Sequence, residues 1–216
     1  MASNFGELVL LLGDHHLPSR TTTIPEQFQR MLVPHKMQHV ICTGNIECPE
    51  ELERLRELVG GSANNVHVVA GDYYFAQQHQ NQQQQQQLQP QQQLDEKKVV
   101  QLGQFRIGII GGHQVVPWGD LSALSMTRRQ MNVDVLVCGS RRKEGVVQYQ
   151  GGYYIFPGSI TGAYSSSSYS GRGDDENNEV HNPSFILLAV QGNTMVCYVY
   201  CLKDGEVDVS KTEFSK

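Results

Sequence analysis

Asp14 and His16 stand in "GDHH", directly after an apolar run at 8–12. A carboxylate and an imidazole just past the end of a buried strand lie where α/β proteins place ligands and metals. Later runs end in comparable groups: Asn45 in "TGN", Asp72 in "AGD" and His113 in "GGH". An Asp-x-His, then an amide or carboxylate, then another, is what a pair of hard divalent cations needs at a sheet edge. One carboxylate bridges both ions, and the other oxygens and imidazoles complete each shell. Singly these motifs are weak, because Gly-Asp and Gly-Asn are ordinary turn dipeptides. In this order, each after an apolar run, they point to a metal site built from Asp14, His16, Asn45 and Asp72. His113 either adds an imidazole or is an ordinary hydrogen-bonded histidine. His15 alternates away from His16 and reads as a surface histidine, while His35, His39, His67, His79 and His181 fall in no pattern.

Short β-like runs at 8–12, 40–42, 66–69, 99–102, 105–110 and 133–138 must carry these groups, and further runs follow at 145–149, 153–156, 184–190, 194–202 and 207–214. "LGQF", "YQGGYY" and "VQGNTM" read as hairpin turns. Helical patterns lie between the early runs. "PEQFQRMLVP" is bracketed by Pro25 and Pro34. "CPEELERLRELVGG" has Leu52, Leu55 and Leu58 at helical spacing and ends in a Gly pair. "GDLSALSMTRRQMN" has Asp120 as its N-cap. Strand–helix alternation followed by hairpins predicts an α/β core with a second, antiparallel-rich sheet, packed face to face with helices outside.

The chain has 216 residues and a net charge of −5, from 17 Lys and Arg against 22 Asp and Glu. That length suits a single domain spanning 1–216, and the balance carries no basic footprint for nucleic acid. The five cysteines, Cys42, Cys48, Cys138, Cys197 and Cys201, contain no CxxC pair. They read as free thiols in a reducing, cytoplasmic setting. No basic leader and no membrane-length apolar run is expected, so membrane association would go through a partner. A glutamine-rich stretch at about 76–96 and a polar loop at about 165–182 lack the apolar content that ordering requires, and both read as disordered or flexible insertions. The Arg-Gly-Asp triplet within the second, Arg172 to Asp174, reads as chance in a chain without a secretion signal.

The motif order resembles the calcineurin-like metallophosphoesterases, which read Asp-x-His, Gly-Asp, Gly-Asn-His/Asp and a final Gly-His-x-His. With "LVPHKMQHVICTGN", "GQFRIGIIGGHQVVPWGD", "QMNVDVLVCG" and "FPGSITGAY", and with Asn45 at the second motif and Asp72 at the third, the chain is similar to a non-catalytic branch of that family that serves in a protein-transport coat. The likeness runs from about Leu8 to the C-terminus and implies a two-sheet α/β/β/α sandwich. It also implies departures from catalysis. Tyr73 stands where the leaving-group His belongs, a phenol with a reference pKa of about 10. Gly111, Ser140 and Arg142 stand at the metal-ligand His positions. No cofactor is therefore expected, with weakly bound Zn or Mn as the alternative. Arg142 (or Arg141) either forks onto Asp14 or Asp72 in place of a cation, or points to solvent.

The resemblance implies partners instead. The site face would seat on a helical-solenoid subunit through Val115, Val116 and Trp118, although Trp118 could equally pack on the core. An apolar groove would take Pro-Leu-type regulator peptides through Leu8, Met31, Leu187, Tyr198, Tyr200 and Val209. On the residues alone, core packing explains that second set as well. Endosome-to-Golgi retrograde transport, peripheral on endosomes, is the implied role, and a metal-dependent phosphodiesterase or phosphatase is the alternative.

Overall fold

β1 (Glu7–Leu12) is buried on both faces. Val9 and Leu11 point into the space between two sheets, and Leu10 and Leu12 point toward helices on the other side. A strand covered on both sides has no polar face, and this is why the run at 8–12 is uninterrupted. The computed structural model describes residues 6–72, 94–139, 144–163 and 182–216.

The chain continues through α1 (Glu26–Met31), β2 (His39–Cys42), α2 (Pro49–Leu58), β3 (Val66–Val68), β4 (Lys97–Leu102), β5 (Phe105–Ile110), α3 (Leu121–Met131), β6 (Val135–Cys138), β7 (Gly145–Tyr149), β8 (Gly152–Phe156), β9 (Ser184–Gln191), β10 (Thr194–Lys203) and β11 (Glu206–Ser215). Every expected run is a strand, and the expected turns join β4 to β5, β7 to β8 and β9 to β10. Asp120 caps α3, its Oδ1 accepting from the Ala123 N–H at 2.7 Å.

The sheets run in the orders β11-β10-β9-β1-β2-β3 and β4-β5-β6-β8-β7. Val9, Leu11, Ile41, Ile107, Ile109, Val135 and Val137 fill the space between them. Phe28, Leu55 and Leu58 bring α1 and α2 onto the first sheet, and Leu124 brings α3 onto the second. These are the layers of an α/β/β/α sandwich. One expectation is corrected. The antiparallel C-terminal strands do not form a sheet of their own, because β9 pairs with β1, with Leu10 opposite Leu187. Without β9 the apolar β1 would end the sheet with its backbone groups unpaired. The first sheet is thus antiparallel from β11 to β1 and parallel from β1 to its β3 edge, while the second is parallel through β5, β6 and β8 with an antiparallel strand at each edge.

Residues 94–96, assigned to the glutamine-rich insertion, belong to the packed body. Leu94 rests on the α1/α2 cluster and the Asp95 carbonyl accepts from the Ala70 N–H at 2.9 Å. The rest of that stretch, and the polar loop apart from Asn182, lie outside the described residues.

The parallel strands of both sheets end at one edge, and glycines let them converge. A Cβ on Gly13 would land on the Gly158 carbonyl oxygen, and one on Gly44, at φ +126°, would meet the Gly71 backbone. Glycine alone lets strand exits touch this closely, from opposite sheets at Gly13 and Gly158 and from neighbouring strands of one sheet at Gly44 and Gly71.

Candidate functional site

Asp14, His16, Asn45 and Asp72 meet at that edge. The Asn45 Nδ2 is the hub, 2.8 Å from Asp14 Oδ1, 3.0 Å from Asp72 Oδ1 and 3.3 Å from His16 Nε2. Asp14, His16 and Asn45 are buried. Among the described residues no three His, Cys, Asp or Glu side chains lie close enough to form a metal cluster by themselves; the amide spaces Asp14, His16 and Asp72 and joins them. An amide nitrogen has two protons and cannot serve three acceptors. Three acceptors around one point are a cation's environment. Turning the Asn45 amide replaces its NH2 with Oδ1, which completes a set of two carboxylates, an imidazole and an amide oxygen. Those donors fit one Zn2+ or Mn2+ ion.

Burial raises the Asp14 pKa first, and the Asp72 carboxylate adds to it; together they push it up to about 7 against the Asn45 hydrogen bond and the nearby His15 and Arg20. Burial and Arg20 hold His16 below the usual imidazole range, opposed by Glu47 and Asp72.

A second layer of residues locks the loop. Ser159 Oγ donates to the Asp14 carbonyl at 2.7 Å, and Thr161 Oγ1 to the His15 carbonyl at 2.8 Å. Both come from the exit of β8, so the second sheet fixes the first sheet's ligand loop. The His16 N–H donates to the Asn45 carbonyl at 3.1 Å. Both residues are in the left-handed region, at φ +49° and +57°.

His15 is not a surface residue, and that expectation is corrected. It is 1 % exposed, with Nδ1 2.9 Å from Glu51 Oε2. The chain turns left-handed at His16, so simple alternation does not apply, and His15 points back under α2. Burial lowers its pKa, but the Cys42 thiol and Glu51 outweigh burial and raise it to about 10. Glu51 carried a signal in the sequence, because it shares the inward face of α2 with Leu55 and Leu58. Glu47, Ser159 and Thr161 carried none.

His113 reaches the site's edge. Burial lowers its pKa, against Asp72 and Glu96. Its ring lies against Gly111, where a Cβ would stand 2.9 Å from Nδ1. Tyr73, Ser140, Arg141 and Arg142 lie outside the described residues.

The model of the calcineurin-like phosphoesterase superfamily domain matches residues 8–178. The vacuolar protein sorting-associated protein 29 of Schizosaccharomyces pombe is 32% identical over 209 residues, 97% of this chain and 98% of that protein. The chain belongs to the Vps29 family. Among solved structures, Vps29 of Cryptosporidium parvum matches with a TM-score of 0.80 and 35% identity, covering 98% of this chain and 100% of that one. Vps29 of Entamoeba histolytica complexed with Zn2+ matches with a TM-score of 0.74 and 37% identity, covering 95% and 98%.

In this Vps29 relative the loop between β5 and α3 borders the site. Val116 is 77% and Trp118 49% exposed. Val115 is corrected: it is 6% exposed and packs with Ile110 and Leu124 under α3, so it is not at the surface. Gln114 holds the loop, accepting from the Gly112 N–H at 2.9 Å and donating to the Glu96 carbonyl at 3.0 Å.

Leu8, Leu187, Tyr198, Tyr200 and Val209 share the α1 side of the first sheet. The registers Tyr198↔Leu187 and Tyr200↔Val209 place the last four side by side across β9, β10 and β11. Leu8, Leu187, Tyr198 and Tyr200 are half-buried, while Met31 on α1 and Val209 are exposed. Phe28 packs edge-on to Phe185, which stacks on Tyr200 at 4.7 Å. The α1 helix thus covers only part of this face. Among the described residues no helix is long and apolar enough to cross a membrane.

Proposed function

We propose that the chain is a non-catalytic scaffold subunit of the retromer coat, acting in endosome-to-Golgi retrograde protein transport from the cytoplasmic side, peripheral on endosomes. Its site face seats on a helical-solenoid subunit, with Val116 and Trp118 as anchors. Its groove of Leu8, Met31, Leu187, Tyr198, Tyr200 and Val209 takes Pro-Leu-type regulator peptides. Membership of the Vps29 family supports a sorting role, and the S. pombe relative carries vacuolar protein sorting in its name. The observation that carries the scaffold reading is the exposed Val116–Trp118 tip beside the cluster. Apolar and aromatic groups ringed by polar surface are the usual anchors of protein interfaces. A cation held by Asp14, His16, Asn45 and Asp72 would supply charge neutralisation that stiffens this face. Zn or Mn binding is weak in this reading, because Asp14 resists ionising and Asn45 must turn.

A metal-dependent phosphodiesterase is the second reading, favoured by the assembly of all four donors at one edge. Two measurements on the full chain separate the readings. The scaffold reading expects capture of a helical-repeat protein from cell extract, lost in Val116→Asp, and no hydrolysis of bis(p-nitrophenyl) phosphate with Mn2+. Robust turnover abolished by Asp14→Asn would reverse the order.

A further inference from the structure

Two carboxylates that belong to no motif stand behind the cluster, and one of them touches a candidate ligand. Glu47 Oε1 lies 3.3 Å from His16 Nδ1, with the His16 side chain 0% and the Glu47 side chain 4% exposed. Glu47 is itself clamped: the Ser19 N–H donates to Oε2 at 3.0 Å, and Ser19 Oγ donates to Oε1. The backbone bond from His16 to Asn45 brings these two loops together, so Glu47 falls on the far side of the ring from the acids.

The Glu47 contact demands one tautomer. An ionised carboxylate only accepts, so the ring proton belongs on Nδ1. The other ring nitrogen, Nε2, lies 3.3 Å from the Asn45 side-chain amide, on the side of Asp14 and Asp72. The ring is fully buried, and no solvent competes for either nitrogen. An imidazole fixed through one nitrogen by a carboxylate, with the other aimed at oxygen donors, is the arrangement that orients metal-bound histidines.

We propose that Glu47, clamped by Ser19, is a positioning residue that holds the proton of His16 on Nδ1 and so presents Nε2 to a divalent cation at Asp14, Asn45 and Asp72. This rests on the reading that the cluster takes one cation, and the test separates the two.

Two-bond 1H–15N correlation spectra of the full chain, stripped with EDTA at neutral pH, read the tautomer without any metal. The expected result is a protonated Nδ1 and a bare Nε2 on His16, with the Nδ1–H population reduced in Glu47→Gln. Calorimetric titration with Mn2+ and with Zn2+ should then show affinity falling 10–100-fold in Glu47→Gln, and less in Ser19→Ala. An Nε2–H tautomer in the wild-type chain, or Glu47→Gln affinity within twofold of wild type, overturns the role of Glu47 and leaves the cation reading standing. The expected tautomer in a wild-type chain that takes up neither ion overturns the cation reading and, with it, the proposal. Should Glu47→Gln fail to fold, the wild-type tautomer and the Ser19→Ala titration decide.

Discussion

His15 Nδ1 lies 2.9 Å from Glu51 Oε2, with both side chains no more than 5% exposed. This buried pair ties α2 to the loop that carries Asp14 and His16. Removing one partner leaves an uncompensated buried charge, so Glu51→Ala should lose about 3–5 kcal/mol in urea unfolding. The double variant His15→Leu/Glu51→Leu should recover most of that loss. The pair also sets a pH dependence. His15 rises from 6.5 to about 10 on folding, so its contribution is complete below pH 6.5 and lost as pH rises through about 10. That alkaline decline should vanish in the double variant.

Asp14 should make the apo chain less stable as pH rises. Its pKa moves from 3.8 in the unfolded chain to about 7 in the folded one, so the folded state holds the proton more tightly. Its contribution is complete below pH 3.8 and lost as pH climbs through about 7. Asp14→Asn removes the cost of the buried charge and should stabilise the EDTA-treated chain at pH 8, by up to about 4 kcal/mol. Urea midpoints of both proteins at pH 4, 6 and 8 check this; parallel curves would contradict it.

Val115 and Val116 should behave oppositely although they are adjacent. Val116 is exposed, so Val116→Asp should leave stability within about 0.5 kcal/mol and abolish capture of the helical-repeat partner. Val115 is buried beneath α3. Val115→Ala should cost about 2 kcal/mol and leave capture intact wherever the chain is folded. Thermal unfolding and pull-down on the same samples check the pair.

Tyr198 is the cleaner probe of the groove. Tyr198→Asp should abolish binding of a Pro-Leu peptide in calorimetry without loss of fold. Tyr200 also stacks on Phe185, so Tyr200→Ala should lose peptide binding and about 3 kcal/mol of stability as well. Capture of the solenoid partner should survive Tyr198→Asp, because the groove and the site lie at different parts of the first sheet.

Much of this was legible in the sequence because it is local or periodic. The run at 8–12 is continuous since β1 is covered on both faces, and Asp120 caps α3 through a group three residues away. The four cluster residues follow glycines or precede turns at strand exits, and parallel strands bring such exits to one edge. Strand sharing between the sheets was not legible. Whether β9 pairs with β1 or starts a sheet of its own depends on which free edge it covers, and period-two alternation is the same in both cases. Val115 and Val116 were likewise indistinguishable, because in an irregular loop side-chain direction follows backbone turns that no period describes.

The sequence by itself determined the strands, the helices, the strand-end donors Asp14, His16, Asn45 and Asp72, and the two-tyrosine face of β10. These follow from residue type and spacing within one element. Only the tertiary structure decided that the Asn45 amide sits between three acceptors, that His15 turns inward to Glu51, and that Ser159 and Thr161 reach back to the Asp14 and His15 carbonyls from across the sandwich. These contacts join residues up to 146 positions apart. They exist because two sheets, closed on a shared core, deliver their exits to the same edge.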